Sequence, residues 1–340
     1  MDDWLVRRSM SIGGSDAPTI LNGRIPLEFD PGFGSEVEIW SSKKLVRDHY
    51  GLGMRPQKHS EAMQRGHDAE PLCREFLGGQ FNTVFTECFL DLYRRDDFPM
   101  LHGSIDGECI IDGKVYGLEI KTMGYNGSSW TSGPPARVDL QSRHNWFCRP
   151  SLDGFILAGF KAPEEVWRLV NGGSVSISAA VSRGSMKFWY KFLEPSDWYE
   201  TTCVPVLADW WNRHVVDMVS PEPDHQKITK ESIDEMFRSF EGDCDIEPEI
   251  EDLLAERVQV DAEVKELKAR LGTINNRIKL FMKNKRVARN ESYRVSLTWV
   301  ETRDLDKKKL KEDMPELYEK YQKDSGHSRM TVTRSKDVGN

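Results

Sequence analysis

Apolar and polar positions change period several times along this chain, and each change marks an element. From Leu101 to Gly124, LHGSIDGECIIDGKVYGLEIKTMG alternates at the two-residue period of strands and is cut by Asp-Gly steps, which predicts strands joined by glycine-containing turns. Thr86–Tyr93, Ser151–Phe160 and Gly184–Leu193 also read as strands. Helical spacing predicts helices over Glu36–Val46 and Lys58–Leu77, the latter with Pro71 as a kink or a new first turn, and over Ala136–Cys148. Ser15, after Gly13 and Gly14, reads as the N-cap of a short helix. Pro195–Val219 is helical in pattern, with Pro205 expected to interrupt it.

The pattern shifts near SPEPDHQK (Ser220–Lys227), which divides the chain into an expected core, 1–220, and an extension, 221–340. In the extension Val260, Val264, Leu267, Leu271, Ile274, Ile278 and Phe281 recur at alternating steps of four and three, the seam of a long helix that packs on another helix. Arg277, Lys279, Lys283, Lys285, Arg286 and Arg289 follow without an acid among them, as a solvated cationic helix end or as a phosphate contact. A strand (SYRVSLTWVET) and short charged helices (DLDKKKLKEDMPELYEKY) complete a small α+β tail.

Composition narrows the chemistry. The 340 residues are 38% hydrophobic and 30% charged, ordinary for globular domains. No stretch reaches the length of a membrane span, and MDDWLVRRSM lacks the order of a signal peptide, so a cytoplasmic protein is expected. Six scattered cysteines with no C-x-x-C pair suggest neither a zinc site nor a disulfide framework. A net charge of −8 disfavours indiscriminate coating of nucleic acid, yet it suits an enzyme whose acids hold cations.

In a strand, Glu119 and Lys121 point to one side while Leu118 and Ile120 point to the other. Asp106 reaches the same spot if the two strands pair antiparallel. Carboxylates so placed suit Mg²⁺, which is held by one or two of them together with phosphate and water. Lys121 would orient or deprotonate the attacking water, or neutralise charge on the phosphorane. The simpler reading is a polar strand face with a cross-strand ion pair, Asp106 a turn residue and Glu70 a helical partner of Arg74.

Read in order, RRSMSIGGSDA, RGHDAEP, GSIDG, LEIK and DLQSRHNWF resemble successive elements of the phage lambda exonuclease and YqaJ-like viral recombinase family, within the PD-(D/E)XK nuclease superfamily. The resemblance runs from Arg8 to about Phe160. Departures are Ile105 where the family commonly has proline, Thr122 and Met123 where it has Cys-Pro, and Arg143 and His144 after Gln141. The fold it implies is α/β, a PD-(D/E)XK core with a mixed central sheet flanked by helices, here followed by a helical arm and the α+β tail.

The activity the resemblance implies is a Mg²⁺-dependent exonuclease, with Mn²⁺ substituting and two ions per site, that digests one strand of duplex DNA from its 5′ end. The 3′ overhang would pass to a single-strand annealing recombinase. Asp106, Glu119 and Glu70 are the implied metal ligands and Lys121 the assistant to the water. Arg8, Ser15, Ser104 and Gln141 are the implied 5′-phosphate contacts. His67 is either a further ligand or a neighbour of Glu70. A ring-shaped homo-oligomer, trimer or tetramer, is implied around double-stranded DNA ends, with no membrane and, if the chain is phage-encoded, in a bacterial host's cytoplasm. Two other functions compete: a structure-specific or restriction-type endonuclease, which would cut closed circles, and a non-catalytic DNA-binding scaffold, which the intact Asp106, Glu119 and Lys121 disfavour.

Overall fold

The computed structural model describes residues 7–29, 34–49, 61–88, 91–124, 134–237, 242–301 and 305–321. The chain divides into two units, Met1–Phe237 and Arg238–Asn340. The first runs α1 (Ala17–Leu21), α2 (Glu36–His49), α3 (Glu61–Phe81), β1 (Gly107–Ile111), β2 (Lys114–Met123), α4 (Ala136–Cys148), β3 (Gly154–Lys161), α5 (Glu164–Asn171), α6 (Ile177–Ser182), β4 (Lys187–Leu193), α7 (Val204–Trp210) and α8 (Lys227–Met236).

The four strands form one mixed sheet in sequence order, with β1 antiparallel to β2, β2 parallel to β3 and β3 antiparallel to β4. Asp112 and Gly113, both at positive φ (51° and 77°), make the two-residue turn that pairs Ile111 with Lys114. Such a turn matches the twist of the strands it joins, and Asp-Gly is among the pairs that adopt it. The turn therefore lies at Asp112, and Asp106 stands just before β1 rather than at the end of a strand.

Helices cover both faces. Leu118 and Ile120 of β2 and Ile156, Ala158 and Phe160 of β3 pack on Ala69, Cys73 and Leu77 of α3 and on Trp167 and Val170 of α5. On the opposite face lies α4, whose Trp146 stacks on Phe155 of β3. Beyond α4 a second core joins Ile20 and Leu21 of α1, Trp40 of α2, Leu140 of α4, and Leu207 and Trp210 of α7. The indole of Trp40 donates to the His214 carbonyl (2.8 Å), which ties α2 to the helical run around α7.

Several expected elements differ. Pro205 does not interrupt its helix: it falls in the first turn of α7, where its missing N–H is no loss. Widened π-helical turns over Tyr199–Cys203 and Trp211–Val216 keep the run continuous. Pro71 likewise stays inside α3. Among the described residues of Thr86–Tyr93 there are only isolated bridges, Thr86 to Glu108 and Tyr93 to Gly103, so the two ends have different partners. Residues 89–90 of that segment, and 58–60 of the expected helix before α3, lie outside the described residues. The first compact unit runs past Ser220 to Phe237, because α8 packs within it, with Thr229 Oγ1 and Ser35 Oγ 2.6 Å apart.

The second unit holds α9 (Pro248–Met282), an antiparallel pair β5 (Val287–Arg289) and β6 (Arg294–Ser296), α10 (Lys307–Asp313) and α11 (Pro315–Lys320). The expected long helix and α+β tail are both present, with the SYRVSLTWVET strand shortened to β6. Arg277 and Lys279 ride the last turns of α9, Lys283, Lys285 and Arg286 follow it, and Arg289 closes β5.

Candidate active site

A central strand covered on both faces ordinarily carries apolar side chains. β2 breaks that rule at Glu119, which is only 3% exposed. A buried carboxylate needs partners, and α4 supplies them. Gln141 Nε2 donates to Glu119 Oε1 (2.7 Å) and Asn145 Nδ2 to Oε2 (3.0 Å), while Lys121 pairs with Oε1 from the same strand face. Gln141 and Asn145 stand one helical turn apart and so face the sheet together.

Asp106 is joined to the same strand. Its backbone N–H donates to the Leu118 carbonyl (2.8 Å), its Oδ2 accepts the Ile120 N–H (2.6 Å), and Arg74 of α3 holds its carbonyl (2.9 Å). The antiparallel register Gly107–Leu118 thus sets Asp106 beside Glu119 and Lys121. Burial, then the Glu119 and Glu70 carboxylates, hold the Asp106 carboxyl well above its ordinary range, against the pull of Lys121. Burial also raises Glu70, with Glu119 adding to it and His67, Arg74 and Lys121 opposing. Burial works against the Lys121 ammonium, but Glu119 and Asp106 outweigh it and lift Lys121 above its ordinary value. Lys121 is therefore a cation at neutral pH.

Three carboxylates thus share one ammonium in a partly desolvated site, an excess of negative charge that a divalent cation relieves. Among the described residues no group of three or more His, Cys, Asp or Glu is placed to hold a metal ion. The neighbouring Asp106 and Glu119 carboxylates fit Mg²⁺, which is held by one or two carboxylates together with water and substrate phosphate, better than a structural metal. His67 lies on the exposed face of α3.

The N-terminal candidates form a second group. Arg8 Nη2 donates to Ser15 Oγ (3.3 Å). Ser15 is not the N-cap of α1; Asp16 holds that position, and its carboxylate accepts the Gly13 N–H (3.1 Å) and pairs with buried Lys43 (3.0 Å). Burial would raise Asp16, but Lys43 and the Gly13 N–H hold it near about 2. Ile12 pairs with Leu101, and Ser11 Oγ lies 2.9 Å from His102 Nδ1, so the Gly13–Ser15 loop passes beside the segment that leads to Ser104 and Asp106. Residue Asn145 links the groups: its Nδ2 serves Glu119, and its Oδ1, buried with no partner, faces Gly14.

Sequence reasoning named neither Asn145 nor the Asp16–Lys43 and Ser11–His102 pairs. The four-residue step from Gln141 to Asn145 was a usable signal; the other two pairs span separations that no local pattern shows.

All eight candidate residues and Asn145 fall within residues 3–145. Residues 3–145 match the YqaJ-like viral recombinase domain. The matched stretch takes in α1 to α3, the β1–β2 hairpin and α4 as far as Asn145, the residue that bridges the two groups. The full chain is similar to the uncharacterized protein YqaJ of Bacillus subtilis (strain 168), 25% identical over 343 residues that cover 97% of this chain and 93% of that protein. Among solved structures it is similar to an alkaline exonuclease (LHK-Exo) from Laribacter hongkongensis, with TM-score 0.44 and 13% identity, covering 64% of this chain and 94% of that one. It is also similar to LHK-Exo in complex with dAMP, with TM-score 0.41 and 14% identity, covering 64% and 100%.

Proposed function

We propose that the protein is a Mg²⁺-dependent deoxyribonuclease of the PD-(D/E)XK type that degrades one strand of duplex DNA from its 5′ end and leaves a 3′ overhang. The observation that carries this reading is the Asp106–Glu119–Lys121 group on the β1–β2 hairpin, with Glu70 beside it, inside a segment that matches a viral recombinase domain. Asp106, Glu119 and Glu70 would contribute to holding the metal, with Mn²⁺ substituting for Mg²⁺ and two ions per site in this reading. When bound, the metal polarises the scissile phosphate and lowers the pKa of its water.

Each protein group has a task in that reading. Asp106 is oriented by the Ile120 N–H, which fixes one oxygen; the other would be its metal ligand. Glu119 is held at both oxygens by Gln141 and Asn145, so its position is set before substrate arrives. Lys121, kept cationic, neutralises charge developing on the phosphate rather than acting as a base. Arg8, Ser15, Ser104 and Gln141 would receive the 5′-terminal phosphate, for which a guanidinium and hydroxyls are suitable donors. In this reading the enzyme works as a ring around DNA ends and hands the overhang to a single-strand annealing protein. Among the described residues no helix is long and apolar enough to cross a membrane.

The test is digestion of linear duplex DNA labelled at either end, beside a closed circle, with Mg²⁺, Mn²⁺ or EDTA. Metal-dependent loss of the 5′ label first, with the circle spared and Lys121→Ala inactive, is the expected result. Cleavage of the circle would turn the reading to an endonuclease. Tight DNA binding without cleavage under any metal would turn it to a scaffold.

A further inference from the structure

Helix α9 is 35 residues long, about 52 Å at 1.5 Å per residue. Its apolar seam extends further than Val260–Phe281. Ile250 and Leu253 continue the same steps, so ten consecutive seam positions run 250, 253, 257, 260, 264, 267, 271, 274, 278 and 281, and all but Arg257 are apolar. These side chains are largely in solvent: Leu253 is 59% exposed, Leu267 60%, Leu271 57% and Phe281 80%. A heptad stripe over five repeats left in water is an unfinished interface.

Charge identifies the occupant. From Glu249 to Glu263 the helix carries Glu249, Glu251, Asp252, Glu256, Asp261 and Glu263 against the single cation Arg257. From Val264 to Met282 the balance reverses, with Lys265, Lys268, Arg270, Arg277 and Lys279 against Glu266. The positions flanking the seam follow this split: Glu249, Glu256 and Glu263 lead, and Arg270 and Arg277 follow along one flank. Two copies side by side in the same direction would set acid beside acid and stack Arg257 on Arg257 inside the seam. Two copies in opposite directions set Glu263 and Glu256 beside Arg270 and Arg277 of the other copy, and place Arg257 opposite Ile274. In that alignment Val264 meets Leu267 at the centre, Val260 meets Leu271, Leu253 meets Ile278 and Ile250 meets Phe281, so every apolar residue except Ile274 has an apolar partner.

We infer that α9 is a self-association element that joins two copies of this chain as an antiparallel two-stranded coiled coil. The contact rests on nothing in the nuclease reading and is separate from any ring built by the first unit.

The experiment uses the full chain. Sedimentation equilibrium of wild type is compared with Val264→Glu/Leu267→Glu, which puts four carboxylates at the centre of the coil; at least a hundredfold weaker association is expected. A second variant, Glu256→Arg/Glu263→Arg, keeps the apolar seam and sets cation against cation; it is expected to weaken association, and Arg270→Glu/Arg277→Glu mixed with it to restore it. Direction is read from spin labels on Cys244, the exposed cysteine four residues before α9. Antiparallel copies hold two labels on the order of 50 Å apart, the length of the helix between them. Labels within about 20 Å would mean a parallel coil and overturn the inference. So would a wild type that stays monomeric at 100 µM, or seam variants that associate as tightly as wild type.

Discussion

Replacing Gly14 with alanine tests whether Asn145 is the bridge between the N-terminal loop and Glu119. A Cβ at Gly14 falls against Asn145 Oδ1 and lies 3.0 Å from its Cγ. Neither side yields easily. Asn145 is 2% exposed and tied to Glu119 through Nδ2, and the loop is pinned by the Gly13 N–H on Asp16 and by Ile12 on Met100 and His102. Overpacking of this kind costs about 1–3 kcal/mol. For a unit of this size each kcal/mol lowers Tm by about 2–4 °C. Asn145→Ser alone removes a hydrogen bond to a charged group, worth about 1.5–3 kcal/mol. In the double variant the shorter side chain leaves room for the new methyl, so the combined loss should fall short of the sum by about 1–2 kcal/mol. Urea unfolding followed by tryptophan fluorescence suits the measurement, because of the ten tryptophans only Trp299 lies in the second unit. Additivity within about 0.5 kcal/mol, or a Gly14→Ala protein as stable as wild type, would refute the bridge.

Further outcomes follow from the same geometry. Asp106→Asn removes a carboxyl that burial and two neighbouring acids hold in an unfavourable state; Tm should rise while nuclease activity falls by about 10²-fold or more, and a lower Tm would contradict the repulsion. Arg8→Met should slow digestion of 5′-phosphorylated ends and leave 5′-hydroxyl ends unaffected; equal losses on both would remove Arg8 from the phosphate site. Burial holds His144 at about 4, against 6.5 for an ordinary histidine. Between those values the unfolded chain binds a proton that the fold refuses, so stability drops as pH falls from 6.5 to about 4, by about 3 kcal/mol from this residue. His102, held at about 3, acts in the same direction. Urea midpoints of wild type and His144→Gln across that range should diverge in slope; parallel curves would sink the assignment.

The sequence by itself determined the elements whose signal is local. The two-residue period placed Glu119 and Lys121 on one face and Leu118 and Ile120 on the other, because strand pleating fixes that alternation whatever the partner. The seven-residue seam of α9 was legible for the same reason, since helix pitch involves only near neighbours, whereas of the two Asp-Gly steps between Leu101 and Gly124 the pairing of β1 with β2 chose Asp112–Gly113 as the turn. What the tertiary structure decided involves separations that no period encodes. Asn145 meets Glu119 and Gly14 because α4 lies across the sheet face; Lys43 reaches Asp16 because α2 packs beside α1. Pro205 stays inside a helical run because π-helical turns flank it, and the described ends of Thr86–Tyr93 make only isolated bridges because they find different partners. Α8, beyond the composition break at Ser220, joins the first unit because Thr229 and Ser232 bury against it. Local spacing names the side chains that share a face, and the packing of distant segments decides what those side chains meet.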